Sequence, residues 1–511
     1  MNPCPAPRRP ARNAVAGLLA AALSVMAAVG LAGCTVIPVP AASGAPATVS
    51  TPGTTPAGGS QPAVQSPAAS NSPASPSSTA EPLADVSAAA ALAEFVDFPD
   101  LSPLLVPRPD PEALDPLLDE ALALHSGTMS AAVRDALTGE LLYAEGPDQP
   151  VVPASAVKIL TAVAALQALG PDHRYTTAAV IRPLQDESAA VVLDAGGDVL
   201  LGTGENAEDA NGRAGLGTLA GQTAQALKDR GATGMVVIGV DDSGYEGPGE
   251  SPDWSSDIVT SGNASTVQPI ATYGGRAYPS RHTDRLHDPA LYAAEVFRRE
   301  LTARVEALGL DLTVETEVVR DALKGRGTVL AEVESAPLAE QMTYMLQTSD
   351  NQVAEATGRN LALAAGEPGS FAGASQAIED TLAGLGVDTG GLDLVDASGL
   401  SGANRVSAAQ LTDALQVAST HPDLQAAVTG LPAAGKEGTL SDRMVGTAAE
   451  DAVRAKTGTL SSVASLTGTV QTEDGRTLLF SFIANGQPGV LDDARFAVDR
   501  AAVVLAGCGC R

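Results

Sequence analysis

Positive charge is scarce in this 511-residue chain, which has 30 lysines and arginines against 60 aspartates and glutamates and a formal net charge of −30. A nucleic-acid partner requires a positive surface that neutralises phosphates, so this balance argues against such a partner. Lysine is rarer still, with five lysines against twenty-five arginines. Because arginine is the usual cation of this chain, a lysine inside an apolar segment needs a specific reason.

Cysteine and histidine are also few. Two of the four cysteines, Cys4 and Cys34, lie near the N-terminus, and Cys508 and Cys510 form a Cys-Gly-Cys near the C-terminus. That pair is compatible with a small disulfide, a fragment of a metal site or no role, and a single Cys-x-Cys is weak evidence for metal. The five histidines are scattered, without His-x-x-His or His-Glu-x-x-His spacing. We therefore expect neither a metal site nor a cofactor.

The first 34 residues have the form of an export signal. Three arginines, at positions 8, 9 and 12, precede an uncharged run rich in Ala, Leu and Val from Asn13 to Gly33. The run ends in Leu31-Ala32-Gly33-Cys34, which resembles the lipobox of bacterial lipoproteins and makes Cys34 the candidate lipid anchor. An uncleaved single-span anchor of about 20 residues would look similar. Both interpretations predict a protein at the outer face of the cytoplasmic membrane.

Residues 35–82 are rich in Pro, Ala, Ser, Thr and Gly and contain almost no charge or aromatic side chain. Such a composition buries too little apolar surface to offset chain entropy, so we expect a disordered tether between anchor and folded part. The predicted domains are then a catalytic domain of residues 83–181 and 285–511 and an inserted domain of residues 182–284.

The folded part shows an α+β pattern. Alternating segments at 129–134 and 140–144 predict a β-hairpin that leads into a helix beginning near Pro153 to Ser155. Short strands with Gly-rich turns follow after Arg182, then a run of helices, three antiparallel strands and a final helix. The predicted helices are 219–228, 289–308, 338–346, 352–364, 372–385, 408–417 and 492–505, and the last strands are 452–459, 463–471 and 477–483. We expect an antiparallel sheet packed with helices and interrupted by the smaller inserted domain.

One lysine lies in an apolar segment, three residues after a serine. In Pro153-Ala154-Ser155-Ala156-Val157-Lys158, residues i and i+3 of a helix face the same side, which brings Ser155 and Lys158 together. A serine hydroxyl needs a base to act as a nucleophile, and a lysine acts as one only when it is neutral. Apolar surroundings and a second nearby cation lower a lysine pKa, whereas arginine keeps its proton.

Ser-x-x-Lys alone occurs often by chance, but two further segments strengthen the interpretation. Ser349-Asp350-Asn351 lies at a helix junction, and Lys456-Thr457-Gly458-Thr459 lies in a strand pattern. Ser261-Gly262-Asn263 also matches Ser-x-Asn, but it lies in a Gly-rich segment without a following helix, and we interpret it as a loop. In this order, Ser-x-x-Lys, Ser-Asp-Asn and Lys-Thr-Gly are the motifs of serine β-lactamases and penicillin-binding proteins.

Residues 85–506 resemble the low-molecular-mass penicillin-binding proteins that act as D-alanyl-D-alanine carboxypeptidases and endopeptidases and carry an insertion after the Ser-x-x-Lys helix. The resemblance implies a serine β-lactamase/transpeptidase-like fold and an enzyme that hydrolyses peptidoglycan stem peptides and is inhibited by β-lactams. It implies that Ser155 forms an acyl-enzyme and Lys158 removes its proton. Ser349 would relay a proton to the leaving amine, and Asn351 would orient Lys158 and hold the substrate amide.

The resemblance also implies the residues that bind substrate. Lys456, Thr457 and Thr459 would bind the terminal carboxylate, and Gly458 would let the substrate backbone approach the strand. The backbone N–H groups of Ser155 and Thr459 would form the oxyanion hole. The segment Asp396-Ala397-Ser398-Gly399-Leu400-Ser401 also matches the family, and Ser398 and Leu400 are candidate substrate contacts.

Two departures from the family limit the expectation. The span from Trp254 to Asp288 is shorter than in the longest-inserted members, and Gly402 stands where some relatives have an arginine that helps to bind a diaminopimelate side chain. Two alternatives remain: a β-lactamase, for which no Glu-x-x-x-Asn segment precedes Ser349, and a catalytically slow receptor for β-lactams or muropeptides.

Overall fold

The computed structural model describes residues 106–125, 127–184, 188–280, 283–486 and 491–509, all within one of the two units of the chain, Ser87–Arg511. The predicted signal, the anchor at Cys34 and the predicted tether lie outside the described residues. The strands described form two five-stranded sheets, and the strands and helices are numbered below in chain order.

The first sheet is antiparallel, with strand order β2-β1-β10-β9-β8. It confirms the predicted hairpin and the three successive strands near the C-terminus. The strands of this sheet are β1 Thr128–Asp135, β2 Leu141–Glu145, β8 Val453–Leu460, β9 Val463–Gln471 and β10 Thr477–Asn485.

Helices cover both faces of the first sheet. Along β10, Leu479 and Ile483 face one core and Phe480 and Phe482 face the other, because successive side chains of a strand point to opposite faces. The helices around this sheet are α1 Pro111–Leu122, α2 Val157–Leu169, α5 Leu338–Thr348, α6 Asn351–Ala365, α7 Phe371–Gly384, α8 Ala408–Thr420, α9 Ala426–Thr429 and α10 Leu491–Ala506.

Helix α2, which follows the candidate nucleophile, is the centre of the larger core. Every residue from Val157 to Leu166 is buried, including Lys158. Helices α6 and α7 pack against α2, and α8 contacts both α2 and the first sheet. A helix that is apolar on all sides belongs inside a domain, which is why the lysine within it is desolvated.

The second sheet is mixed, with strand order β6-β5-β4-β3-β7. The pairs β4–β5 and β5–β6 are parallel, and β3 pairs antiparallel with β4 and β7. Helices α3 and α4 provide the crossover connections and share a buried core with the sheet. The elements are β3 Thr176–Pro183, β4 Ala189–Ala195, α3 Leu216–Asp229, β5 Gly234–Asp241, α4 Pro289–Ala307, β6 Leu312–Arg320 and β7 Thr328–Glu334.

The second sheet extends beyond the predicted bounds of the inserted domain. Strand β3 begins at Thr176, before residue 182, and α4, β6 and β7 lie after residue 284. The helix at 289–308 was predicted correctly as a helix, but its apolar face packs on the second sheet through residues such as Phe297 and Leu301. The domain bounds 83–181, 182–284 and 285–511 stay a prediction, since a sequence pattern identifies an apolar face and not its partner.

In the described ranges no helix combines the length and apolarity that a membrane crossing requires, and no group of His, Cys, Asp and Glu side chains there could hold a metal ion. Cys508 is buried against the core of α10 and is disulfide-bonded.

Candidate active site

The segment before Ser155 is fastened to the first sheet. The Asn485 side chain accepts from the Val152 N–H at 2.8 Å and donates to the Val152 carbonyl at 2.9 Å. The Ser465 hydroxyl donates to the Pro153 carbonyl at 2.9 Å. Ala154 then takes a left-handed backbone conformation, with φ of 50°, which an L-residue adopts only when its surroundings require it. The chain therefore arrives at Ser155 in a fixed direction.

Ser155 lies in a short 3₁₀ turn, Ala154–Ala156, that continues into α2. This agrees with the predicted helix start and places the half-buried Ser155 one turn before the buried Lys158. The Lys158 Nζ lies 3.1 Å from Ser155 Oγ, 2.7 Å from Asn351 Oδ1 and 2.6 Å from the Ser398 carbonyl oxygen. All three partners are neutral groups, so none of these hydrogen bonds fixes a charge on the lysine.

Burial lowers the pKa of Lys158 to about 8. The nearby carboxyl groups of Glu355, Asp396 and Asp350 oppose this shift, and Arg285 adds to it. Desolvation disfavours the ammonium form, which explains the direction. A substantial fraction of Lys158 is therefore neutral in slightly alkaline solution, which is the condition for accepting a proton from Ser155.

The turn between α5 and α6 brings the Ser-Asp-Asn motif to the lysine. Ser349 has a left-handed backbone, with φ of 55°, and ends α5, whereas Asp350 caps α6 by accepting from the N–H groups of Gln352 and Val353. Two arginines, Arg276 and Arg285, pair with the buried Asp350 carboxylate at 3.0 Å and 3.3 Å. Burial would raise the pKa of Asp350, but Arg285, Arg276 and the capping N–H groups hold it below its usual value.

The amide of Asn351 is oriented by the loop that contains the second Ser-x-Asn copy. Its Nδ2 donates to the Asn263 carbonyl oxygen at 2.9 Å, so its Oδ1 faces Lys158. Ser261-Gly262-Asn263 is thus not a second catalytic motif, but its backbone supports the first one. No sequence signal identifies such a contact, because every residue has a carbonyl group.

The loop of residues 396–404 lies beside Lys158. Its buried Asp396 carboxylate accepts from the Gly399 and Ser401 N–H groups, at 2.8 Å and 2.7 Å, and from the side chains of Asn404 and Trp254, both at 2.8 Å.

The candidate substrate contacts of this loop differ in exposure. The Ser398 side chain is buried and Leu400 is half-buried, so the Ser398 contact seen here is that of its carbonyl with Lys158. Their predicted substrate contacts stay a prediction. Gly399, with φ of 80°, packs so closely on the Ala154–Ser155 peptide that a Cβ would overlap the Ala154 carbonyl.

The Lys-Thr-Gly motif lies on the edge strand β8, with Lys456 buried, Thr457 half-buried and Thr459 exposed. A Cβ at Gly458 would overlap the Ser465 hydroxyl and crowd the Pro153 carbonyl and Ala154, which shows how closely this strand lies against the segment before Ser155.

The polar groups of this strand are held in place. Lys456 donates to the Thr457 carbonyl at 2.8 Å, and the Thr457 hydroxyl donates to Thr439 at 3.1 Å. Burial, followed by the charges of Lys158 and Arg443, lowers the pKa of Lys456 well below its usual value. The charge of Lys158 thus acts on Lys456, whereas Arg285 is the cation among the main charges that lower the pKa of Lys158.

Sequence reasoning missed a buried carboxyl group at the site. Glu355 lies on α6, one turn after Asn351, and is fully buried. Its Oε2 accepts from the Ala397 N–H at 3.2 Å, next to the residue whose carbonyl contacts Lys158. A glutamate in a helix is usually exposed, so the one available signal was its position four residues after the motif asparagine.

A cavity of about 670 Å³ lies along α5 and is lined in part by Tyr344, Gln347 and Asn211. None of the predicted site residues lines this cavity. The side-chain geometry around Ser155, and not the cavity, therefore identifies the candidate active site.

Comparison with known families and proteins gives a consistent result. The family model described as D-Ala-D-Ala carboxypeptidase 3 (S13) matches residues 112–284 and 270–506. The chain is 36% identical over 419 residues to Carboxypeptidase DacB of Mycolicibacterium smegmatis, covering 80% of this chain and 86% of that protein. It is 30% identical over 448 residues to the D-alanyl-D-alanine carboxypeptidase of Actinomadura sp. (strain R39), covering 74% and 81%.

Among solved structures, penicillin binding protein 4 (dacB) from Haemophilus influenzae is similar to this chain with a TM-score of 0.60. The match covers 75% of this chain and 97% of that one at 19% identity, so it bears on the fold alone. It supports the predicted combination of an antiparallel sheet and helices.

Proposed function

The chain belongs to the D-Ala-D-Ala carboxypeptidase 3 (S13) family, and on that premise we propose that it is a serine D-alanyl-D-alanine carboxypeptidase acting on peptidoglycan stem peptides. The observation that carries the proposal is the distance of 3.1 Å between the buried Lys158 Nζ and Ser155 Oγ, with Asn351 Oδ1 at 2.7 Å on the other side of the amine. This is the arrangement of a nucleophile, its base and an orienting group.

In the acylation step, neutral Lys158 accepts the proton of Ser155 as Oγ attacks the carbonyl carbon of the penultimate D-alanine. The Oγ–C bond forms, and the carbonyl electron pair moves to the oxygen. The backbone N–H groups of Ser155 and Thr459 are the proposed donors to this oxyanion, and each such donor typically contributes about 3–4 kcal/mol to the transition state. Thr459 is exposed on β8, opposite Ala464 in the register of the sheet.

Collapse of the intermediate requires a proton for the leaving amine of the terminal D-alanine. Ser349 is half-buried at the end of α5, and its hydroxyl makes no hydrogen bond within the described part of the chain. We assign it the relay of the proton from the lysine ammonium to the leaving nitrogen, while the oxyanion electron pair re-forms the carbonyl and the C–N bond breaks. Water then hydrolyses the acyl-enzyme and restores Ser155.

The terminal carboxylate of the substrate is assigned to β8. Lys456 is buried, whereas the side chains of Thr457 and Thr459 are half-buried and exposed, respectively. A carboxylate would stabilise the ammonium form of Lys456, whose pKa is lowered by burial and by Lys158. Gly458 leaves no side chain between the substrate backbone and the strand.

Penicillins contain a reactive amide carbonyl followed by a carboxylate, so the same groups would produce a stable acyl-enzyme on Ser155. The test is labelling of the purified protein with a fluorescent penicillin, together with D-alanine release from a diacyl-D-Ala-D-Ala peptide. Ser155→Ala should abolish both signals. Ser419→Ala, which changes a half-buried serine near the end of α8, is the matched control and should preserve both.

Each alternative function predicts a different result in these two measurements. Labelling without D-alanine release would favour the slow receptor, and rapid loss of the label with turnover of penicillin would favour a β-lactamase. Absence of any label on the wild-type protein would contradict the acyl-enzyme mechanism.

The proposed site of action is outside the cytoplasm, since the substrate belongs to the cell wall. We propose further that the chain is tethered to the outer face of the cytoplasmic membrane through a lipidated Cys34 or an uncleaved N-terminal span. The support is the sequence pattern of Asn13 to Cys34. Mass spectrometry of the mature N-terminus distinguishes a diacylated Cys34 from an intact segment, and an unmodified N-terminus beyond residue 34 would contradict both forms of anchor.

A further inference from the structure

Glu355 is a fully buried carboxyl group on the face of α6 that carries Asn351. The two residues are four positions apart, so their side chains leave the helix on the same side. Asn351 contacts Lys158 directly through Oδ1. Glu355 lies one turn further along the helix, and its buried Oε1 has no hydrogen-bond partner among the described residues, which is costly for a carboxyl group.

The contacts of Glu355 lead to the lysine through one loop. Its Oε2 accepts from the Ala397 N–H at 3.2 Å, the one hydrogen bond of this carboxyl within the described part of the chain. The carbonyl of the next residue, Ser398, accepts from Lys158 Nζ at 2.6 Å, and the carbonyl of Ala397 accepts from Thr161 of α2 at 2.6 Å. Glu355 therefore holds the segment that holds the lysine.

Burial moves the pKa values of Glu355 and Lys158 toward each other. Burial, followed by the charge of Asp396 on the loop, raises the pKa of Glu355 to about 8, whereas Ser398, the Ala397 N–H and Arg359 of α6 oppose the rise. Burial lowers the pKa of Lys158 to about 8. Of the charges that oppose that shift, Glu355 comes first, ahead of Asp396 and Asp350, and Arg285 acts in the other direction. The buried Lys456 of β8 is a further cation, whose own pKa is lowered by Lys158. Glu355 and Lys158 therefore titrate in the same pH range, and the charge of each affects the pKa of the other.

We propose that Glu355 is a positioning residue for Lys158: it holds the Ala397–Ser398 segment against the lysine and, as a carboxylate, stabilises the ammonium formed when Lys158 takes the Ser155 proton. In that step the Ser155 Oγ–H bond breaks, the Lys158 Nζ–H bond forms, and Oγ bonds to the substrate carbonyl carbon as the π pair of the carbonyl moves to its oxygen. The positive charge appears in a buried site, where a nearby negative charge has a large effect. This inference rests on the proposed function.

The test separates the charge of Glu355 from its packing. Glu355→Gln keeps the size and an oxygen that accepts from the Ala397 N–H, but it removes the charge. The matched control is Glu379→Gln. Glu379 on α7 also accepts from a backbone N–H, that of Leu394 at 2.9 Å, just before this loop, and it is absent from the main charges that act on Lys158. The measurement is the rate of Ser155 acylation by a fluorescent penicillin as a function of pH.

Near pH 8 Glu355 is partly ionised, because its own pKa is about 8, and loss of that charge should lower the pKa of Lys158 further, so that the lysine is neutral in more acidic solution. We expect the pH of half-maximal acylation to move down by up to about one unit in Glu355→Gln and to remain in place in Glu379→Gln. A role in packing alone would reduce the rate in Glu355→Gln without moving this midpoint. Coincident midpoints of wild type and Glu355→Gln, or equal shifts in both variants, would overturn the proposal.

A second variant covers the case in which Glu355→Gln does not fold. Glu355→Asp retains the charge but shortens the side chain, so its midpoint should stay close to that of wild type while its rate falls. A downward shift in Glu355→Asp as large as one unit would contradict the assigned role of the charge. Failure of wild type itself to be labelled would instead refute the proposed function, which keeps the two failures distinct.

Discussion

A lysine that accepts a proton from a serine must be neutral part of the time, and burial inside α2 provides that condition for Lys158. When the pH is below the Lys158 pKa of about 8, the lysine is mainly an ammonium and cannot act as a base. When the pH is above it, the free amine is available. We therefore expect the acylation rate to rise with pH and to reach half its maximum near pH 8. Stopped-flow labelling with penicillin over a pH series measures this rise of the acylation rate. A rate that does not change with pH in this range would exclude Lys158 as the base.

Replacement of Lys158 by arginine separates charge from basicity. Lys158→Arg keeps the positive charge, but a guanidinium does not give up its proton near neutral pH. We expect Ser155 acylation to fall by a factor of about 10² or more, the usual contribution of general-base catalysis. Lys436→Arg is the control, because Lys436 is exposed and paired with Glu450. Penicillin labelling of Lys158→Arg at the wild-type rate would show that another group removes the proton.

Gly399 shows how closely the backbone must approach the nucleophile. With φ of 80°, and with the Ala154 carbonyl where a Cβ would lie, Gly399→Ala requires movement of the Ala154–Ser155 peptide. Backbone strain of this kind costs about 1–3 kcal/mol, and the displaced Ser155 N–H should also slow acylation. Gly402→Ala, three residues later, should change neither quantity, because no atom lies within 4 Å of the position that its Cβ would take. Thermal unfolding and penicillin labelling of both variants test the contrast.

Helix α6 depends on the buried carboxylate that caps it. Asp350→Asn retains an oxygen for the capping bonds but leaves Arg276 and Arg285 without their common partner, and loss of one partner of a buried ion pair costs about 3–5 kcal/mol. Asp288→Asn is the matched control, since Asp288 caps α4 and pairs with a more exposed arginine, Arg320, and should cost no more than about 1 kcal/mol. Urea unfolding of both variants measures the difference; equal losses would contradict the role assigned to burial.

The same cap predicts a pH dependence with a definite sign. Burial would raise the pKa of Asp350, but Arg285, Arg276 and the capping N–H groups outweigh it, so the folded-state pKa lies below the ordinary 3.8. The ionised carboxylate therefore contributes its full stability above pH 3.8, and that contribution is lost as the pH falls through the lower folded-state pKa. The difference in unfolding free energy between wild type and Asp350→Asn should shrink only in strongly acidic solution. A difference that already shrinks at neutral pH would contradict this assignment.

The elements that the sequence predicts best are those that contribute to the two cores around the first sheet. Helices α6 to α8 and strands β8 to β10 were predicted to within a few residues, because their patterns and end signals agree. Strands β6 and β7 were missed, since most of their residues are partly or fully exposed and they lack the alternation of a half-buried strand. They form the two edges of the second sheet, where pairing on one side substitutes for burial.

The site also contains residues that the sequence predicts and contacts that it does not. Ser155, Lys158 and Asn351 were predicted because a short motif carries their chemistry, and the structure brings the three together. The supporting contacts were not predicted. The Asn263 carbonyl reaches Asn351 because the fold joins residues about ninety positions apart. The Glu355 carboxyl contacts the Ala397 N–H because the fold buries a glutamate of a helix. A motif identifies the reacting groups, whereas their orientation depends on tertiary structure.

At the scale of the whole molecule, the site is joined to a long connection of the second sheet, the stretch between β5 and α4. Asn263, Arg276 and Arg285 all contact the Ser-Asp-Asn turn, and they lie in the stretch that connects β5 to α4. Trp254 from the same stretch donates to Asp396 beside Lys158. The connecting stretch is therefore part of the active-site wall, and changes in it should affect acylation as well as stability.

Trp254 provides the test of that connection. Its indole N–H donates to the Asp396 carboxylate at 2.8 Å, and its ring packs edge-to-face on Phe371 at 5.2 Å. Trp254→Phe preserves an aromatic ring but removes the donor, and loss of a hydrogen bond to a charged group costs about 1.5–3 kcal/mol. Because the Asp396 loop carries the Ser398 carbonyl that contacts Lys158, we expect slower acylation by penicillin together with the loss of stability. Tyr278→Phe, at an exposed aromatic residue, is the control. Acylation at the wild-type rate in Trp254→Phe would show that the Asp396 loop holds Lys158 without the connecting stretch.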